Sequence, residues 1–342
     1  MEFGVSTFGD VGAPGEAGER LREVVAEAEL ADRLGLDVFA IGEHHRADYA
    51  VSAPAVVLGA IASRTERIRL STAVTVLSSE DPVRVFQDFA TIDGLSDGRA
   101  EIMAGRGSFT ESFPLFGQDL QDYDELFATK LALLLQLTRG GERVSWAGSK
   151  GRAPIEDLGV YPRPVQEQIP VWLAVGGTPE SAVRAAQLEL PMMLAIIGGM
   201  PERFVPFAAL YRQSGGRTLG INVHTYVAES PERAAKEFFG GYRERMTQIG
   251  RERGWPPLSR EQYEAGLAPR GHLFVGGPDE VADKIVALHG HFAPDRFMAQ
   301  TSVGVLPHEQ VLRSIELLAT EVLPRVRERL ASAGAAAPAS SA

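Results

Sequence analysis

The sequence predicts an α/β fold, a single (β/α)8 TIM barrel with insertions, on three observations. Short β-rich runs recur with helical stretches between them, the mark of repeated βα units and a parallel sheet. The alternation continues through nearly all of the 342 residues with no composition break of the kind that marks a linker. No Gly-x-Gly-x-x-Gly follows the first run, which weighs against the competing doubly wound open sheet. The expected division is one domain over 1–330 and a frayed tail of small residues over 331–342.

The expected strands are residues 2–7, 37–41, 68–75, 100–104, 171–175, 192–196, 221–227 and 296–301, as many as a closed barrel needs. Between the first two, Leu21, Val25, Ala28 and Ala31 share one face of a helix that Gly35 can end. Asp81-Pro82, Thr178-Pro179 and Ser230-Pro231 each place a capping side chain before proline at the first helical position. Residues 123–137 form another apolar helix. Two stretches, 140–168 and 251–270, lack steady periodicity and are read as insertions over the top of the barrel.

Composition narrows the function. Lys+Arg 34 against Asp+Glu 45 gives a net charge of -11, which argues against a nucleic-acid or anionic-membrane binder. There is no cysteine, so thiolate metal sites and thiol nucleophiles do not arise. No run approaches the roughly 18 apolar residues of a membrane span, and Met1 leads into Glu2-Phe3-Gly4 without a signal-peptide pattern. A cytoplasmic location is the expectation. His289, His291 and His272 lack an accompanying carboxylate pattern, so no metal is expected; Gly-x-Ser-x-Gly is absent.

Four strand ends carry unusual residues, and a barrel would gather them at one rim, where such folds keep their chemistry. The second ends in Glu43-His44-His45, two imidazoles that packing does not explain and that suit acid–base work. The third ends in small side chains, Ser71 to Thr75, either a tightly packed interior or a backing for a flat ligand. The fourth runs Met103-Ala104-Gly105-Arg106-Gly107, an arginine that is either a solvated turn residue or a phosphate fork. The fifth runs Val175-Gly176-Gly177-Thr178, where an anion site and ordinary helix capping by Thr178 are both open.

Glu43-His44-His45, Ser71 to Leu77, Asp81-Pro82-Val83-Arg84, Leu95-Ser96-Asp97-Gly98-Arg99 and Gly105-Arg106-Gly107, in that order, closely resemble the bacterial luciferase-like, flavin-dependent monooxygenase family. The resemblance covers almost the whole chain and speaks to family rather than to substrate. It implies a barrel that uses reduced FMN as co-substrate, or in some branches a deazaflavin coenzyme. His44 matches the family's catalytic histidine near the flavin ring. Ala73 and Val74 match a pair that bulges behind the ring through a non-proline cis peptide, with Met103 close by. Arg106 matches a phosphate-binding arginine, and Val175, Gly176, Gly177 and Thr178 fall in the phosphate loop. Implied partners are a small organic substrate, O2, a separate NAD(P)H-flavin reductase and a second copy in a homodimer. The alternatives are deazaflavin-dependent hydride transfer and flavin binding without catalysis. Two residues depart from the pattern: Gly105 stands where luciferase has cysteine, and Asp124 stands where a second basic phosphate contact is expected.

Overall fold

Strands and helices alternate as the patterning predicts, and the computed structural model describes residues 1–336. In chain order the first half is β1 (Glu2–Thr7), α1 (Ala17–Arg33), β2 (Val38–Ile41), α2 (Pro54–Ala62), β3 (Arg69–Thr72), β4 (Thr75–Val76), α3 (Pro82–Ser96), β5 (Ile102–Gly105), α4 (Ser112–Leu115), α5 (Tyr123–Arg139), β6 (Arg143–Trp146) and β7 (Ile155–Gly159). The second is β8 (Val171–Val175), α6 (Pro179–Gln187), β9 (Met192–Ile196), α7 (Val205–Gln213), β10 (Leu219–Val227), α8 (Pro231–Arg253), α9 (Arg260–Leu267), β11 (Phe274–Gly276), α10 (Pro278–Phe292), β12 (Arg296–Gln300), α11 (His308–Leu317) and α12 (Leu323–Ala336).

The principal sheet runs β3-β2-β1-β12-β10-β9-β8-β5-β4, with β11 added to the end of β10. Every ladder between these neighbours is parallel. Because β3 and β4 are two halves of one stave, interrupted at Ala73-Val74, and Leu70 bridges Ala100, the ring closes on eight staves. The single strand expected over 68–75 is thus broken where the sequence changes to small residues.

The interior is filled rather than hollow. Val38, Met103, Trp172, Met193 and Met298 pack together at mid-height, as barrel cores do. Below them Arg296 lies 4.1 Å from the Trp172 ring and forks onto Glu101 at 2.5 and 3.1 Å, closing the amino end. That layer separates the amino end from the carboxyl rim, where the unusual strand ends lie.

Several local signals act as read. Gly35 takes φ +77° just past α1, a left-handed geometry that glycine accepts at little cost. Asp81 caps α3 by accepting from the Val83 and Arg84 amides, and Ser230 caps α8 through Arg233 N. On α1 the buried stripe is Val24, Ala28 and Ala31, while Leu21 and Val25 are only partly buried.

Of the two insertions, the first differs from its expected position. Helix α5 descends and delivers Gly140 to the amino end, so 140–168 starts there, and its β6–β7 hairpin climbs the flank instead of covering the mouth. Its base is tied by Gln166 Nε2 to Ala100 O (2.8 Å), its side by Gln136 Nε2 to Ser145 O (3.0 Å), and its tip by Lys150 to Asp122 (2.5 Å). The segment 251–270 does belong to the rim: Glu252 meets Arg46 (2.5 and 2.8 Å) and Arg253 reaches Ser108 O (3.4 Å), so the end of α8 lies across it. The expected tail over 331–342 begins too early, because α12 stays helical to Ala336; residues 337–342 lie outside the described residues. Among the described residues no helix is long and apolar enough to cross a membrane.

Candidate active site

The Glu43-His44-His45 run leaves β2 at the carboxyl rim, and its three side chains take three different places. Glu43 is buried; its Oε2 accepts from Val76 N (2.9 Å) and its Oε1 meets His45 Nε2 (3.0 Å). It ties the second stave to the broken third one. The hydrogen bond to Glu43 holds the His45 imidazolium above the usual histidine range. With Glu80, whose carboxyl is pushed up by burial and by the charge of Glu43, these groups come within 4.8 Å of one another. Glu43 and His45 already satisfy each other, so the cluster is a structural pair with a protonatable neighbour.

His44 is only 8% exposed and sits among rings. Tyr49 stacks on it at 4.2 Å, Phe8 lies at 4.8 Å and Phe109 meets it edge-on at 5.2 Å. Burial, reinforced by the positive charge of Arg46, pushes its pKa down to about 3. At neutral pH it is therefore an uncharged imidazole, able to take a proton and without one to spare as an acid. Phe109 follows Arg106 by three residues, which links this aromatic cage to the fourth strand end. Phe113, in α4 just beyond, is fully buried and stacks on Tyr123 instead.

Ala73-Val74 forms a non-proline cis peptide between β3 and β4, and both side chains face the interior cluster that contains Met103. A Cβ on Gly105 would lie 2.5 Å from Val74 Cγ2. The glycine that replaces luciferase's cysteine is thus the partner of the Val74 side chain, and any larger residue displaces it. We expect Gly105→Ala to lower stability by about 1–3 kcal/mol through overpacking, read by denaturant titration.

Arg106 reaches from the end of β5 to the loop after β8. Its Nη2 donates to Thr178 Oγ1 (3.1 Å) and approaches Ser181 Oγ (3.5 Å), while Nη1 pairs with Asp124 Oδ1 (2.8 Å). Thr178 precedes α6 at the N-cap position, yet its side chain makes no capping bond; it faces Arg106. Of the two open readings of that residue, ordinary capping is the one that fails. A Cβ on Gly176 would meet open space, and Gly177 has φ +110°. Val175, by contrast, turns its side chain outward into the main core, so only its backbone belongs to the rim. Arg106, two hydroxyls and the positive end of α6 together make a cradle that suits a phosphate.

Other groups at the rim gave no local signal. Arg245 of α8 is buried, donating to Asp10 Oδ1 (2.8 Å) and to the Asp48 carboxylate and carbonyl, with its guanidinium 4.5 Å from the Tyr49 ring. Burial pushes the Asp10 carboxyl up against the pull of Arg245; burial also works against Asp48, but Arg46 and Arg245 hold it low.

The model of the luciferase-like monooxygenases matches residues 1–293. The chain belongs to that family. This luciferase-like monooxygenase is 26% identical to N-acetyl-S-alkylcysteine monooxygenase of Bacillus subtilis, over 93% of this chain and 97% of that one. Among solved structures it is similar to the monooxygenase RslO1 from Streptomyces bottropensis (26% identity, TM-score 0.82, 95% and 99% of the two chains). It also shares the fold of the oxygenating constituent of 3,6-diketocamphane monooxygenase from Pseudomonas putida, solved with FMN (17% identity, TM-score 0.77, 95% and 98%).

Proposed function

We propose that this luciferase-like monooxygenase uses reduced FMN and O2 to oxygenate a small organic substrate, with His44 handling the proton. The observation that carries this reading is the convergence on one rim of a phosphate cradle (Arg106, Thr178, Ser181) and a buried, neutral histidine backed by Ala73-Val74. Bound reduced flavin would supply electrons for splitting oxygen between the substrate and water.

The chain's own residues do the rest. Arg106 with the hydroxyls and amides of the β8–α6 loop binds the phosphate, exchanging its ion pair with Asp124 for the ligand. Gly105 gives the Val74 side chain its place, and the small side chain of Ala73 leaves room for a flat ring beside it. Phe8, Tyr49 and Phe109 keep water from His44, and α8 lies across the rim above them, as shielding of a reactive site requires. Because His44 titrates so low, activity should show no inflection from it between about pH 5 and 9; a kcat profile over that range checks this.

Asp124 favours FMN over the deazaflavin coenzyme. Its largely exposed carboxylate sits beyond Arg106, where it repels the longer acidic tail of a deazaflavin. Titrating the purified protein with both cofactors, followed by absorbance, tests the choice: tighter binding of the deazaflavin rejects the FMN reading. Asp124→Asn should tighten FMN several-fold, since it removes a competitor for Arg106 and a like charge; weaker binding in that variant counts against Arg106 as the phosphate ligand. On the same reading the enzyme is a cytoplasmic homodimer fed by a separate NAD(P)H-flavin reductase. Light scattering tests the dimer.

A further inference from the structure

Among the buried polar atoms without a partner at the open end of the barrel, His224 Nδ1 on β10 and Gln300 Oε1 on β12 stand on neighbouring strands. Both residues are deeply buried, at 4% and 2% exposure. Buried polar atoms are nearly always paired, and an unpaired one costs about as much as a lost hydrogen bond, so each orphan asks for a ligand.

Both side chains point into the barrel. On β10, Ile221 and Val223 pack outward in the main core, while a Cβ on Gly220 would touch Met193 and Trp172 of the interior; alternation then turns Asn222 and His224 inward. On β12, Phe297 and Ala299 face outward and Met298 inward, so Gln300 faces inward. His224 and Gln300 are register partners, on strands spaced about 4.8 Å apart. Gln300 is followed around the ring by its partner Ser6, then Ala40, then Ser71, the row just below the His44 cage. Gln300 Nε2 is directed to Ser302 O (3.4 Å), which leaves Oε1 as its free end. Burial, with the nearby His272, keeps His224 uncharged, so each of its nitrogens offers either one N–H or one lone pair.

In the order of eight staves, β10 and β12 stand across the ring from the β3–β4 stave and β5. A flat ring resting on Ala73-Val74 therefore turns its free face toward His224 and Gln300. From this we infer that His224 and Gln300 form the polar anchor of the organic substrate, and that this substrate carries a hydroxyl group that donates to Gln300 Oε1 and accepts from His224 Nδ1–H. A hydroxyl oxygen both donates and accepts, which matches one acceptor and one donor on neighbouring strands. The inference rests on the flavin reading above, which fixes the face from which the substrate approaches.

The test uses FMN-loaded protein and two matched fragment pairs, benzyl alcohol against benzyl methyl ether and phenol against anisole, titrated by saturation-transfer NMR. In the wild type each hydroxyl fragment should bind at least tenfold more tightly than its ether, about 1.4 kcal/mol, within reach of one or two hydrogen bonds. In Gln300→Met and in His224→Phe, each checked by thermal melting, the ratio should fall below threefold while FMN affinity stays at the wild-type level. Equal binding of alcohols and ethers to the wild type, binding of neither, a ratio unchanged in both variants, or a loss of FMN affinity in place of the hydroxyl preference would each overturn the assignment. Failure of the wild type to bind FMN sinks the flavin reading, whereas FMN binding without hydroxyl preference sinks this inference alone.

Discussion

Replacing His44 by alanine should lower kcat by about 100-fold to 10,000-fold while leaving the FMN dissociation constant within a factor of a few, because in the proposed function the imidazole moves a proton and carries none of the phosphate binding. The cage explains the direction. Tyr49, Phe8 and Phe109 hold the ring by stacking and edge contacts, and burial keeps it neutral, so the unprotonated ring is present at any working pH. His45 provides the control. Its ring is committed to Glu43, which in turn holds the Val76 amide, so His45→Gln should cost stability before it costs chemistry. Turnover at saturating reduced flavin decides between the two: a His44→Ala enzyme that turns over normally has another proton handler.

The second large effect is on stability. Arg245→Met should destabilise the fold by about 3–5 kcal/mol, the usual result of leaving a buried charge without its partner. Asp10 keeps only the Gly304 amide as a donor to Oδ1 (2.9 Å), and its other oxygen has no partner at all. The sign of the pH dependence follows. The Asp10 carboxyl is already above its ordinary value in the fold and rises further without Arg245, so the folded variant binds a proton that the unfolded chain releases. The deficit should therefore be largest near neutral pH and shrink as pH falls below the raised folded value, which urea titrations at pH 5 and 7 will read. Adding Asp10→Asn to Arg245→Met should recover part of the loss. A variant as stable as the wild type at both pH values removes the ion pair from the account of how α8 is held.

The barrel was legible because its staves obey local rules. Each of the eight expected strands is present, with ends moved by a few residues or, in the third, a break, since a strand buried on both sides is written as a short apolar run. β6 and β7 were missed for the opposite reason: Glu156, Asp157, Leu158 and Gly159 all face solvent, so no alternation marks them. The three residues of β11 are too few to carry a period. At the site, His44, Arg106 and the Gly176-Gly177 turn were visible because imidazoles, an arginine between glycines and paired glycines are unusual at strand ends. Tyr49, Arg245 and the pair His224–Gln300 were not, because their meaning lies in partners that only the closed ring brings together. Thr178 shows the limit most plainly. Its sequence context fits a helix cap, and an arginine 72 positions away takes its hydroxyl instead.

The rim also has a history within each molecule. Asp10 emerges among the first residues of the chain, yet Arg245 is made 235 residues later, and β1 gains its second neighbour only when β12 appears near the other end. Contacts of such separation form after long stretches of chain are already in place, and folds that depend on them are slow to complete. For most of its synthesis the nascent protein therefore carries an open sheet edge at β1 and a carboxylate without its counter-charge. Barrel closure and the seating of α8 finish the same surface, and both need residues from the last third of the chain.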